Sequence, residues 1–167
     1  DDGAPTRRSP RPGVDRPDVV TMERQLAAPP VRVWTALTEP GSLAAWLAPA
    51  TFDLRIDGRI TIDFGEGQAV EGVIRVLDPP HVLEYTWNFS GEPDSVVRFT
   101  LTAIEGGTRL ELRHSLLPAA QSVGYGAGWH AHVDQLEAVV TRRPVPGWDD
   151  RFAALLPRYE THQETGM

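Results

Sequence analysis

The chain has no cysteine, which excludes disulfides, thiolate nucleophiles, iron–sulfur clusters and cysteine-ligated zinc. Lysine is absent too: all 16 cationic residues are arginine, so Schiff-base and P-loop chemistry have no lysine to use. Genomic composition explains that bias as well as any function does. No apolar run approaches the roughly 18 residues needed to span a bilayer, and the first residues lack the charged-then-apolar layout of a signal peptide, so a cytoplasmic location without a membrane span is expected. Positive charge is also scarce, 16 arginines against 23 acidic residues for a formal net charge of -7. Long-range attraction to phosphate backbones is therefore missing, and nucleic acid is not an expected partner.

What remains is the composition of an ordinary globular chain. With 167 residues, 41% of them hydrophobic, folding hides about two-thirds of the unfolded surface, enough for one sizeable core. Residues 1–18 carry Pro5, Pro10, Pro12 and Pro17 among Arg and Asp and are expected to be a disordered tail. A domain over 19–143 and a C-terminal extension over 144–167 follow.

Val20, Met22 and Leu26 mark a first strand. Pro29 and Pro30 suit a helix start, where N–H groups need no internal partner, and Val31 to Thr38 has helical apolar spacing. Pro40-Gly41 is expected to break that helix, and Ser42 to cap a second short one over Leu43 to Leu47. Alternating segments come next: Phe52, Leu54 and Ile56; Ile60, Ile62 and Phe64; a less regular run from Val70 to Leu77; Leu83, Tyr85, Trp87 and Phe89; Val97, Phe99, Leu101 and Ala103; Leu110, Leu112 and His114. Period two puts each set on one face of a sheet. The intervening Glu84, Thr86, Arg98, Thr100, Arg109, Glu111 and Arg113 are polar, so the other face is wet and the sheet antiparallel. Asp57-Gly58, Gly65-Glu66-Gly67 and Gly106-Gly107 read as hairpin turns.

Beyond Pro118, Gly124, Gly126 and Gly128 suggest a flexible approach to a helix over Trp129 to Arg143, whose stripe is Trp129, His132, Val133, Leu136 and Val140. The inner face of the sheet is the apolar surface left to receive it. Trp148, Phe152, Leu155, Leu156 and Tyr159 mark a further amphipathic helix. It is expected to pack on its own domain, to seal the sheet edge or a pocket, or to meet a second subunit, so monomer and homodimer both stay open. The class is α+β: a curved antiparallel sheet of six to seven strands around a long C-terminal helix.

This order resembles the helix-grip fold of the START-like (SRPBCC) superfamily. Ala28 to Thr38 (APPVRVWTALT) with Leu43-Ala44-Ala45-Trp46-Leu47 resembles the opening signature of the bacterial homologues of the activator of heat-shock-protein ATPase. Gly72-Val73-Ile74, Leu83-Glu84-Tyr85-Thr86-Trp87 and Gly128 to Asp134 (GWHAHVD) resemble that family's middle strands and the start of its last helix. The resemblance runs from about Val19 to Val140. It implies a stand-alone binder of small hydrophobic or amphipathic, lipid-like molecules, with cyclases and resistance proteins among the relatives and a eukaryotic co-chaperone domain behind the family name.

A sheet curved around one helix leaves a groove. Its expected lining from the sheet is Phe52, Phe64, Tyr85, Trp87, Phe99, Leu101 and Leu112, and from the helices Trp46, Trp129, Val133 and Leu136. Such a set suits either an apolar ligand pocket or a filled core. His114 and His132 fall on the inward register and Tyr85 adds a hydroxyl. Each histidine could orient a ligand or act as acid or base, or sit hydrogen-bonded in the core. His130 and Asp134 face each other at i and i+4, but two ligands do not make a metal site, and none is expected. Neither glycine-rich stretch fits a nucleotide-binding pattern, so no cofactor is expected. No nucleophile elbow or zinc motif occurs. The sequence thus favours a binder of a small apolar molecule. A polyketide-type cyclase or natural-product resistance enzyme using the same groove, and a co-chaperone-like module stimulating a heat-shock ATPase, remain as alternatives.

Overall fold

A computed structural model describes residues 13–16 and 19–165. Its elements run β1 (Gly13–Arg16), β2 (Val19–Leu26), α1 (Pro30–Thr38), α2 (Pro40–Trp46), β3 (Ala50–Phe52), β4 (Arg59–Gly65), β5 (Gln68–Asp78), β6 (Val82–Phe89), β7 (Ser95–Ile104), β8 (Gly107–Ser115), a short 3-10 turn (Ala119–Gln121), α3 (Ser122–Val140) and α4 (Trp148–Thr165). The strands form one sheet in the order β1-β2-β8-β7-β6-β5-β4-β3, antiparallel throughout. Seven of the eight strands are those read from the sequence. The eighth, β1, pairs with the edge of β2, whose unpaired N–H and C=O groups would otherwise face water. The rest of the expected tail lies outside the described residues.

Alternation decides which residues enter the core. On β8, Leu110, Leu112 and His114 are buried while Glu111 and Arg113 are exposed, and Leu83, Tyr85, Trp87, Val97, Phe99 and Leu101 are buried on β6 and β7. β5 alternates poorly because its register with β6 shifts between Ile74 and Val76, a bulge that turns side chains off the period-two face. α3 lies across the buried face and contributes Trp129, Val133, Leu136 and Val140 to the same core.

Four local readings are corrected. Pro40 does not break the helix; it occupies the first turn of α2, where its missing N–H costs nothing, and the break is the single extended residue Glu39. Trp46 closes α2 against α1 by donating its indole Nε1–H to the Ala36 carbonyl at 2.7 Å. β3 stops at Phe52, and Leu54 and Ile56 are 44% and 49% exposed. There the chain reverses through Asp53 and Arg55 so tightly that a Cβ on Gly58 would lie 1.9 Å from the Asp53 carbonyl oxygen. The expected flexible glycines 124, 126 and 128 are helical, and α3 ends at Val140 rather than Arg143.

The cause of that last departure is α4, which docks along the glycine-rich half of α3. A Cβ on Gly126 would meet the Tyr159 ring at 2.8 Å. Leu155 packs on Ala127 and Ala131, with Trp148, Phe152 and Leu156 around them. Small residues on one helix let the other come close enough to bury its aromatic stripe. Polar contacts reinforce the seam: Arg151 Nη2 and Arg24 Nη2 each lie 2.9 Å from the Asp134 carboxylate. The Tyr159 hydroxyl is 2.9 Å from His130 Nδ1. The extension therefore packs on its own domain.

Candidate functional site

At one end of the groove between sheet and α3 is a cavity of about 850 Å³, partly open to solvent. α2 supplies Ala44, Ala45 and Trp46, followed by Leu47; the sheet supplies Phe64, Gln68, Trp87 and Phe89, and the loop after β6 supplies Glu92; α3 and the turn before it supply Ala120, Gln121, Gly124, Tyr125, Gly128, Trp129, His132 and Gln135; α4 supplies Trp148, Asp149 and Phe152. At Gly124 and Gly128, α3 presents no side chain to this space.

Of the residues expected to line the groove, Trp46, Phe64, Trp87, Trp129 and His132 border this cavity. Phe52, Tyr85, Phe99, Leu101, Leu112, His114, Val133 and Leu136 do not, and they pack the core beside it. The groove is filled there by its own rings: Trp129 crosses Phe99 at 6.0 Å and Trp87 at 5.2 Å, and Tyr85 meets Phe52 edge-on at 5.8 Å. Burial raises the pKa of the Tyr85 hydroxyl, so it stays neutral.

His114 is fully buried, and its protonation follows from its partners. Trp129 Nε1–H can only donate, and it does so to His114 Nδ1 at 2.9 Å. Nδ1 therefore carries no proton, and Nε2–H faces Ser95 Oγ at 2.7 Å. The Ser95 hydroxyl in turn donates to the Trp87 carbonyl at 3.1 Å. Burial brings the pKa of the imidazole down to about 3. With both nitrogens engaged, His114 joins α3 to β7 and has no lone pair left for a ligand.

His132 stands on the cavity wall instead. Its Nδ1–H donates to the Trp46 carbonyl at 3.0 Å, because a carbonyl can only accept. Four rings surround it, with centroids 5.4 Å away for Trp148, 6.0 Å for Trp129, 6.2 Å for Phe64 and 6.5 Å for Trp46. Burial lowers its pKa to about 4, against the pull of the Trp46 carbonyl and the Gln135 side chain.

Tyr125 and Glu92 were not singled out by sequence reasoning. The Tyr125 hydroxyl accepts from Trp87 Nε1 at 3.1 Å and donates to Glu92 Oε2 at 2.7 Å, clasping the loop after β6 to α3. Burial raises the Tyr125 pKa, the bond to Glu92 adds to this and the Trp87 bond opposes it. A sequence signal existed, since Tyr125 is the one bulky side chain in Gly124 to Gly128. Trp148 and Phe152 belong to the stripe for which a pocket was one expected destination. Among the described residues no three His, Asp or Glu side chains group as a metal site needs; Asp134, the partner considered for His130, is held by Arg24 and Arg151. No helix among them is long and apolar enough to cross a membrane.

Residues 27–141 match the family described as Activator of Hsp90 ATPase homolog 1-like protein. Among solved structures, protein MLL2253 from Mesorhizobium loti is 30% identical, with a TM-score of 0.71 over 76% of this chain and 99% of its own. CalU16 from Micromonospora echinospora is 26% identical, with a TM-score of 0.72 over 86% of each chain. DynU16, described as a protein in the dynemicin biosynthetic locus, is 27% identical, with a TM-score of 0.70 over 76% of this chain and 49% of its own. No curated protein matches the sequence.

Proposed function

Because the chain belongs to the family of Activator of Hsp90 ATPase homolog 1-like proteins, a START-like family, we propose that it binds a small hydrophobic or amphipathic molecule in the cavity between sheet, α2, α3 and α4. The observation that carries this reading is the wall itself. A cavity of about 850 Å³ ringed by Trp46, Phe64, Trp87, Phe89, Tyr125, Trp129, Trp148 and Phe152 has the size and apolar character of a small-molecule site, with a few polar groups to orient the guest. The place of DynU16 in the dynemicin biosynthetic locus supports a natural product as the kind of molecule held.

Acid–base catalysis on such a guest would have one imidazole to use, His132. A pKa near 4 leaves it neutral and weakly basic at neutral pH, whereas a general base works best with a pKa near the operating pH. Binding without turnover is therefore the reading we put forward.

Native mass spectrometry of protein purified under mild conditions, with ejected molecules identified, tests it. The expected result is a stoichiometric apolar adduct, captured from cell extract if not already present, that is lost when Trp87 is replaced by Ala. A clean apo mass after exposure to extract would overturn the reading. A bound molecule released chemically altered by the wild type, but unaltered by His132→Asn, would replace carriage with catalysis.

A further inference from the structure

The proposed binding site has a polarity of its own, set by which hydrogen-bonding groups on its wall are already in use. The wall carries four of the five tryptophans, and an indole N–H can only donate. Trp46 Nε1 donates to the Ala36 carbonyl, Trp87 Nε1 to the Tyr125 hydroxyl, Trp129 Nε1 to His114 Nδ1 and Trp148 Nε1 to the Gly128 carbonyl. The remaining ring donors are also committed, Tyr125 to Glu92 and His132 Nδ1–H to the Trp46 carbonyl. Each aromatic or imidazole donor on the wall thus points into the protein.

Acceptors are in the opposite condition. Glu92 Oε2 accepts a hydrogen bond from the Tyr125 hydroxyl, and the carboxylate keeps its negative charge and further lone pairs. Asp149, on the first turn of α4, is exposed at the rim. Among the described residues no arginine borders the cavity, although the chain carries 16. The fixed charge of the wall is therefore negative, and the indole and phenyl faces between the carboxylates carry the negative face of their quadrupoles, which attracts cations.

We propose that the molecule held here is an amphipathic cation: an aromatic or polycyclic body bearing an amine that is protonated at neutral pH. This rests on the ligand-binding reading above and names the chemical class that the site selects. The body replaces water against the rings, and the ammonium donates to the Glu92 and Asp149 carboxylates. An anionic guest would meet carboxylates and no arginine; a neutral one would lack the attraction between charges.

The test uses three probes of one shape and different charge: 1-naphthylmethylamine, 1-naphthalenemethanol and 1-naphthaleneacetate, titrated at pH 7 into the full ¹⁵N-labelled chain. Indole N–H resonances report the site, because Trp46, Trp87, Trp129 and Trp148 border the cavity and Trp34 serves as the internal control. The expected result is movement of the four wall signals without Trp34, affinity for the amine at least tenfold above the alcohol, and the carboxylate weakest. That preference should shrink below threefold in the Glu92→Gln/Asp149→Asn double variant. The glutamine can still accept from Tyr125 and Asp149 is exposed, so the fold is kept. Equal affinity for all three probes at the four indoles would overturn the cationic class and leave the cavity reading standing. Tightest binding of the carboxylate would likewise overturn it. If no probe moves the wall indoles, the ligand-binding reading falls, and the cationic class with it.

Discussion

Trp129 and His114 are joined by a single indole-to-imidazole hydrogen bond of 2.9 Å, and that bond fixes which histidine nitrogen is bare. It ties the helix to the sheet beside the cavity and commits two groups that sequence alone leaves available for chemistry.

Breaking the bond should therefore cost stability. Trp129→Phe keeps an aromatic ring but leaves the buried Nδ1 without a donor, and Ser95→Ala leaves Nε2–H without an acceptor. Each is expected to lower the unfolding free energy by about 1–3 kcal/mol, read as a shift of the urea midpoint. Unchanged midpoints in both variants would contradict the network.

The same histidine predicts a pH dependence. His114 and His132 titrate near 3 and 4 in the folded protein and near 6.5 when unfolded. The unfolded state thus binds protons more readily between those values. Their contribution is fully present above about pH 6.5 and is lost as pH falls toward 4 for His132 and toward 3 for His114, by up to about 1.4 kcal/mol per pH unit for each. Urea titrations at pH 7, 6 and 5 should show the decline, and His132→Asn should make it shallower. A flat profile across that range would place the buried imidazoles elsewhere.

Gly126→Ala should act against the usual rule. In an exposed helix interior the change gains roughly 1 kcal/mol. Here the new methyl would sit 2.8 Å from Tyr159 ring carbons, and the ring is restrained by its hydroxyl at His130. Net destabilisation of about 1 kcal/mol is expected from overpacking. In a Tyr159→Ala background the same substitution should become stabilising; equal effects in both backgrounds would exclude the contact.

Asp134 gathers Arg24 and Arg151 from two other elements. Asp134→Asn should speed amide exchange along α4 while leaving the sheet unaffected, with a stability loss of about 1 kcal/mol or less because the pairs are partly exposed. The loss should diminish in high salt. Exchange rates on α4 that match the wild type would show that apolar packing alone holds the helix.

The sheet was legible because period two is a local property: the burial of Leu110, Leu112 and His114 follows from β8 alone. The inward facing of Trp129 and Val133 was legible from the helical period. What the sequence concealed depends on contacts between distant segments. Gly124 to Gly128 looks like a flexible approach until Tyr159 and Trp148 are seen lying on it. Leu54 and Ile56 continue an alternation that the reversal at Gly58 ends. In the cavity, the five expected residues that border it lie on the correct faces of their elements. Whether an inward residue lines space or fills it depends on its neighbours' volumes, so Tyr85 and Phe99 could not be separated from Trp87 and Phe64. Tyr125 and Glu92 are tied by a side-chain bond that no periodicity encodes.

The side of the cavity formed by Trp148, Asp149 and Phe152 comes from the last element in chain order. Without α4, the sheet, α2 and α3 would border a three-sided trough, so one helix outside the sheet-and-α3 core supplies a whole side of the cavity. Cutting the chain before Trp148 would remove the indole, the rim carboxylate and the phenyl ring that form this side together.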